Sequence, residues 1–146
     1  MKERGLKEIN PIDSLALHMD KLLIDSPEVA SGGSMYSQAV KAGNVLYVSG
    51  QVAFDQKNAL IGKGDIEAQT VQAFENMKAL LKAAGMGFDN VVKITVYLTD
   101  LANRPSFHRV RERYFDSDKL PSSTLVVVKS LAHPDLLVEI EAVAVE

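Results

Sequence analysis

Two apolar runs near the C-terminus, residues 120–129 and 136–145, constrain this chain more than any other feature. Both read as strands, spaced like the arms of a hairpin. The first opens with Pro121-Ser122-Ser123-Thr124, and the second carries Glu139 and Glu141 inside otherwise apolar sequence. In a strand, side chains two residues apart share a face, so the two acids project together. The expected hairpin therefore holds a hydroxyl-rich start opposite a pair of carboxylates on rigid backbone.

The elements before it follow from periodicity. A short strand over residues 37–41, a Gly43-Asn44 turn and a β-branched, aromatic run over residues 45–49 predict a hairpin, with Gly50-Gln51 ending or kinking its second arm. Asp65 reads as an N-cap. Val71, Phe74, Met77, Leu81 and Ala84 then recur at helical spacing, with Gln69, Gln72, Glu75, Asn76, Lys78 and Lys82 between them, until Gly85 stops the helix. Residues 91–98 alternate as a strand, with Val92, Ile94, Val96 and Leu98 on one face. Asn103 is placed to cap a second helix whose buried stripe is Phe107, Val110, Tyr114 and Phe115.

The order strand, strand, helix, strand, helix, strand, strand is an α+β pattern. It fits one mixed sheet covered on one face by two helices, with a helical crossover making part of the sheet parallel. The opposite strand faces, with Leu125 and Val127 on one strand and Leu137 and Val143 around the last, also read as apolar. That predicts self-association through the sheets. A short helix is expected from Asp13 or Ser14 to Leu23, and the chain length favours one domain.

Composition removes several classes of function. The net charge of −3 and pI near 5.6 argue against a general nucleic-acid or anionic-membrane binder. The absence of cysteine rules out disulfides, thiolate metal sites and a cysteine nucleophile. The histidines His18, His108 and His133 lack metal-site spacing, and no metal is expected. No apolar run reaches the ~20 residues of a membrane span, and the N-terminus lacks a signal-peptide pattern, so a soluble cytoplasmic protein is expected.

The candidate chemistry is sparse. A carboxylate among apolar neighbours acquires a raised pKa and can act as a general base or position water, which selects Glu139 and Glu141, although structural ion pairing explains such acids as well. His108 follows the stripe residue Phe107 and is either a cleft-facing hydrogen-bonding group or a passive surface histidine, whereas His133 reads as structural. Arg104, Arg109, Arg111 and Arg113 crowd the second helix, and a solvated face explains them better than RNA binding. Ser49-Gly50 ends a strand where a ligand can approach backbone closely, but no base or elbow motif makes Ser49 a nucleophile.

Several of these stretches resemble one family. They are Tyr36-Ser37-Gln38-Ala39-Val40, Gly43-Asn44 through Val48-Ser49-Gly50-Gln51, Ala68-Gln69-Thr70 with Asn76-Met77, Gly85, Val92-Lys93, Asp100-Leu101, Tyr114-Phe115, Leu120-Pro121 and Glu139-Ile140-Glu141-Ala142. In this order they resemble the RidA family, also called YjgF or L-PSP endoribonuclease-like proteins, and the resemblance implies one such domain over residues 24–146 with residues 1–23 as an N-terminal extension. The resemblance implies a chorismate-mutase-like α+β fold and a homotrimer, a barrel of sheets with helices outside and ligand clefts between subunits. It implies cofactor-free hydrolysis of 2-imino and enamine acids to 2-oxo acids and ammonia. In the family, an arginine holds the substrate carboxylate and a glutamate on the last strand helps place water. Tyr36, Ser49, Gly50 and Glu139 match cleft-lining positions.

Three positions depart from the family pattern. Ser123 stands where the arginine is expected, Leu125 where deaminases often have cysteine, and His108 where an asparagine is expected. A guanidinium fork grips a carboxylate through two charge-assisted hydrogen bonds, so its replacement by a hydroxyl costs ~10²–10⁴ in efficiency on an acid substrate. The first expectation is therefore a trimer binding a small metabolite through Tyr36, Ser49, Gly50, His108 and Ser123, without acid-imine deaminase activity. The alternative is an imine or enamine deaminase in which Glu139 positions water and another cation, His108 or an arginine of a neighbour's second helix, replaces the missing one. An endoribonuclease ranks last.

Overall fold

The computed structural model describes residues 20–146. In chain order the elements are β1 (Lys21–Ile24), β2 (Ala39–Ala42), β3 (Val45–Gln51), α1 (Ile66–Ala83), β4 (Val91–Leu98), α2 (Arg104–Arg111), β5 (Ser122–Val127) and β6 (Val138–Val145). All strands join one sheet in the order β1-β2-β3-β6-β4-β5. Only β4 and β5 run parallel, linked through α2 as a crossover, and every other pairing is antiparallel. This is the expected mixed α+β sheet.

Local signals account for most boundaries. Gly43, at φ 60°, turns β2 into β3 with Ala42 opposite Val45. The Asp65 side chain accepts from the Ala68 N–H and starts α1. At its other end, Gly85 takes φ 73°, its N–H reaches the Lys82 carbonyl, and the Met86 N–H reaches the Leu81 carbonyl. These paired bonds close the last turn as a Schellman motif.

The core lies between the helices and one sheet face. Phe74, Met77, Leu80 and Leu81 of α1 and Phe107 and Val110 of α2 pack with Leu46, Ile94, Val96, Ile140 and Ala144. Phe74 stacks on Tyr114 at 4.7 Å between ring centroids, which carries the aromatic stripe past the end of α2.

Five expectations need correction. The C-terminal runs are not a hairpin: β4 lies between β5 and β6, because β5 docks in parallel register on the far side of β4. That register sets Ser123 opposite Ile94 and Leu125 opposite Val96, so Leu125 packs on the core side rather than on the outer face. A register shift in β4 between Val91 and Lys93 buries Val91 and exposes Val92, reversing their predicted faces. Asn103 makes no side-chain cap; Asp100 instead accepts from the Ala102 N–H and starts the short turn that feeds α2. The helix expected to end at Leu23 lies mostly outside the described residues, and its last residues belong to β1, paired with β2.

Candidate functional site

The alternation of β6 sends Val138, Ile140, Ala142 and Ala144 into the core and Glu139 and Glu141 to the face away from the helices. There Glu139 registers with Tyr97 and Glu141 with Thr95. Across β6, β3 slips register between Val48 and Gln51, which displaces Ser49 and Gly50 from the ladder. Gly50 is what permits the next contact. A Cβ at that position would overlap the Glu139 carboxylate, so the acid lies directly against the glycine backbone.

A cavity of about 220 Å³ opens beside Gly50, with Tyr36, Gln38, Gln51, Phe54 and Asn76 in its wall. Its polar frame is tightly bonded. Gln38 accepts from the Ser26 N–H at 2.7 Å and donates to the Val29 and Ala30 carbonyls, which fixes the loop before Tyr36. Asn76 donates to the Val52 and Phe54 carbonyls at 3.0 and 2.9 Å. The Ser49 hydroxyl donates to the Ser37 carbonyl at 2.7 Å, a role that ties strands together and gives no sign of a nucleophile. Helical spacing placed Gln69 and Asn76 between the stripe residues, yet both are buried. Their amides supply hydrogen bonds to loop backbone that apolar side chains could not.

The two acids have different surroundings. Glu141 accepts from the Tyr97 hydroxyl at 3.3 Å, and burial followed by the Glu141 charge raises the tyrosine pKa. Glu139 is half-buried, and burial first, then the Glu141 charge, pushes its carboxyl above the ordinary carboxylate range. Such a group binds or releases a proton more readily near neutrality than a solvated acid.

His108 and Ser123 belong to a second region. A cavity of about 440 Å³ is walled by Leu101, Arg104, His108, Arg111, Ser123 and Leu125. The Arg104 Nε donates to His108 Nε2 at 3.3 Å, and burial, then Arg104 and Arg111, lower the His108 pKa. Both guanidinium groups disfavour the imidazolium form. The arginines also separate. Arg109 pairs with Glu67 of α1 at 2.7 Å, whereas Arg111 turns between α2 and β5. Spacing alone treated them as one face.

Ser123 registers with Ile94 on the core side and Glu139 with Tyr97 on the outer side, so the two point to opposite faces of the sheet within one protomer. A hairpin of the two C-terminal runs would have set them side by side. His133 meets the Phe54 ring edge-on at 5.7 Å, consistent with a structural role. Among the described residues no cluster of His, Asp or Glu converges as metal ligands would, and no helix is long and apolar enough to cross a membrane.

A six-stranded mixed sheet with two helices on one face defines the fold class. The chain belongs to the RidA/YjgF family: the family model described as Endoribonuclease L-PSP matches residues 27–146. The chain is 47% identical over 109 residues to the RutC family protein PH0854 of Pyrococcus horikoshii, covering 75% of this chain and 85% of that protein. It is 38% identical over 111 residues to the mouse 2-iminobutanoate/2-iminopropanoate deaminase, covering 76% and 81% of the two chains. The crystal structure of Escherichia coli TdcF with bound serine superposes with a TM-score of 0.78 at 29% identity, covering 86% of this chain and 98% of that one.

Proposed function

We propose that the protein is a cofactor-free imine deaminase of the Rid type, working as a homotrimer with its sites between protomers. The observation that carries this reading is Glu139, a half-buried carboxylate of raised pKa lying against Gly50, a residue that shares a cavity wall with Tyr36. The mouse relative, named as an imine deaminase, and the TdcF structure, with its bound serine, support a small-molecule substrate of that kind. In the reaction, ionised Glu139 orients a water and takes its proton as the oxygen adds to the C=N carbon. The nitrogen is protonated and leaves as ammonia, and the carbonyl product remains: one imine and one water give one carbonyl compound and one ammonia. Tyr36 and the Ser49-Gly50 backbone shape the wall.

The opposite-face placement of Ser123 and Glu139 supports a site completed by a second protomer, since one protomer cannot bring both to one substrate. Exposed apolar residues on the outer face, Leu23 and Tyr47 among them, suit burial in such an assembly.

The test is a coupled assay with freshly generated 2-iminobutanoate. Parent turnover well above the spontaneous rate is expected, falling ~10²–10⁴-fold in Glu139→Ala. Equal turnover in the two proteins overturns the role of Glu139. Light scattering should report three chains, and a monomer at micromolar concentration overturns the shared site. A second reading, metabolite binding without turnover, is favoured by Ser123 at the family arginine position. It expects no rate above background with ligand binding retained.

A further inference from the structure

We infer that Arg111, acting from α2, is the anion-gripping residue of this protein and binds the carboxylate of a small 2-oxo or 2-imino acid in the cavity it shares with Ser123. The inference deepens the deaminase reading and rests on it for the identity of the acid.

Four observations converge on Arg111. Its Nε is buried and has no hydrogen-bond partner among the described residues, an uncommon state for a charged donor. None of the ion pairs among the described residues includes Arg111, although Arg109, on the same short helix, is paired with Glu67. The guanidinium carbon lies 5.8 Å from the centre of the Phe115 ring, a packing that holds the planar group in place without neutralising it. Arg111 also walls two adjoining spaces. One, of about 440 Å³, contains Ser123, and the other, of about 480 Å³, contains Phe115 and Leu120.

The wall composition selects the ligand. Around the first space the polar groups are Arg104, Arg111, His108 and Ser123, with Leu101 and Leu125 beside them and no acid. The wall of the second space carries one carboxylate, Glu112. Two guanidinium groups, an imidazole and a hydroxyl suit a single small oxyanion. The leucines suit a short alkyl chain attached to it. A fork of N–H donors matches the two oxygens of a carboxylate. Ser123 then has a positive part in the site: its short side chain leaves room for an anion beside Arg111, and its hydroxyl can donate to that anion.

The probe is 2-oxobutanoate, the stable product of 2-iminobutanoate hydrolysis, titrated calorimetrically into the full-length protein. The methyl ester and inorganic phosphate serve as comparison ligands. The parent should bind the acid, bind the ester at least roughly 10-fold more weakly, and prefer the acid to phosphate. Arg111→Gln should weaken the acid roughly 10- to 100-fold, Arg111→Lys less, and Arg109→Gln not at all. Arg111→Gln combined with Ser123→Arg should regain binding, because a cation returns to the same cavity from β5. Should Arg111→Gln fold poorly, Ser123→Asp leaves the arginine in place and supplies an internal carboxylate. It should abolish acid binding while raising the melting temperature.

Unchanged acid affinity in a folded Arg111→Gln protein overturns the inference. So does equal affinity for acid and ester, or tighter binding of phosphate. Acid binding that depends on Arg111 without parent turnover removes the deaminase reading alone. Parent turnover with the same KM in Arg111→Gln removes the arginine's role alone.

Discussion

Two regions of the sheet, the Glu139–Gly50 contact and the cavity around Ser123, solve opposite electrostatic problems. The Gly50 side presents a carboxylate whose pKa is raised by burial and by a second acid. The Ser123 side gathers two guanidinium groups around a histidine whose pKa burial and those groups lower. Proton transfer needs a group that changes charge readily near the working pH, whereas anion binding needs a charge that does not titrate. A single crowded cavity would pair Glu139 with an arginine and weaken both properties. Placing them on opposite sheet faces keeps them apart in a protomer, and in the proposed trimer only a neighbouring protomer brings them to one substrate.

The comparison breaks most sharply at Glu139. Glu139→Gln keeps the shape and removes the base, so kcat should fall ~10²–10⁴-fold while Arg111-dependent binding of 2-oxobutanoate persists. Loss of both together, measured by the coupled assay and by calorimetry, would mean the two regions are not separable. Gln69→Ala comes next. The buried Gln69 donates to the Gly62 and Asp135 carbonyls and accepts from the Leu137 N–H at 2.8 Å, one residue before β6 begins. Stranding these groups should cost roughly 2–4 kcal/mol, read as a lower urea midpoint.

Gly50→Ala is narrower in effect. The new methyl group displaces the Glu139 carboxylate, and turnover should fall ~10²-fold with little change in acid binding. The pH dependence sharpens the contrast further. Activity should decline as pH falls through a Glu139 pKa above the usual carboxylate range. Stability has the opposite sign: the folded state holds this proton more tightly than the unfolded chain does, so ionising Glu139 costs stability as pH rises. Glu139→Gln should therefore raise the melting temperature slightly at neutral pH and remove that slope. The smallest effect belongs to Tyr97→Phe, which deletes one long hydrogen bond to Glu141 and should change stability by about 0.5 kcal/mol or less. A larger loss would show that Glu141 depends on Tyr97 more than a 3.3 Å bond suggests.

Much of this was legible in the chain. The spacing of Phe74, Met77 and Leu81, the Asp65 cap and the Gly85 stop define α1 because each acts over one or two turns. The alternation over residues 138–145 places Glu139 and Glu141 on one face, and the scattered motifs identify the family. Strand order was not legible, because periodicity reports which face of a strand is buried and not which strand it joins. The insertion of β4 between β5 and β6 was decided by long-range pairing. With it came the separation of Ser123 from Glu139 and the exposure of Val92 at a register shift. The fates of the α2 arginines were likewise tertiary. Arg109 reaches an acid on α1, while Arg111 turns over Phe115 into a cavity that exists only once β5 has docked beside the helix.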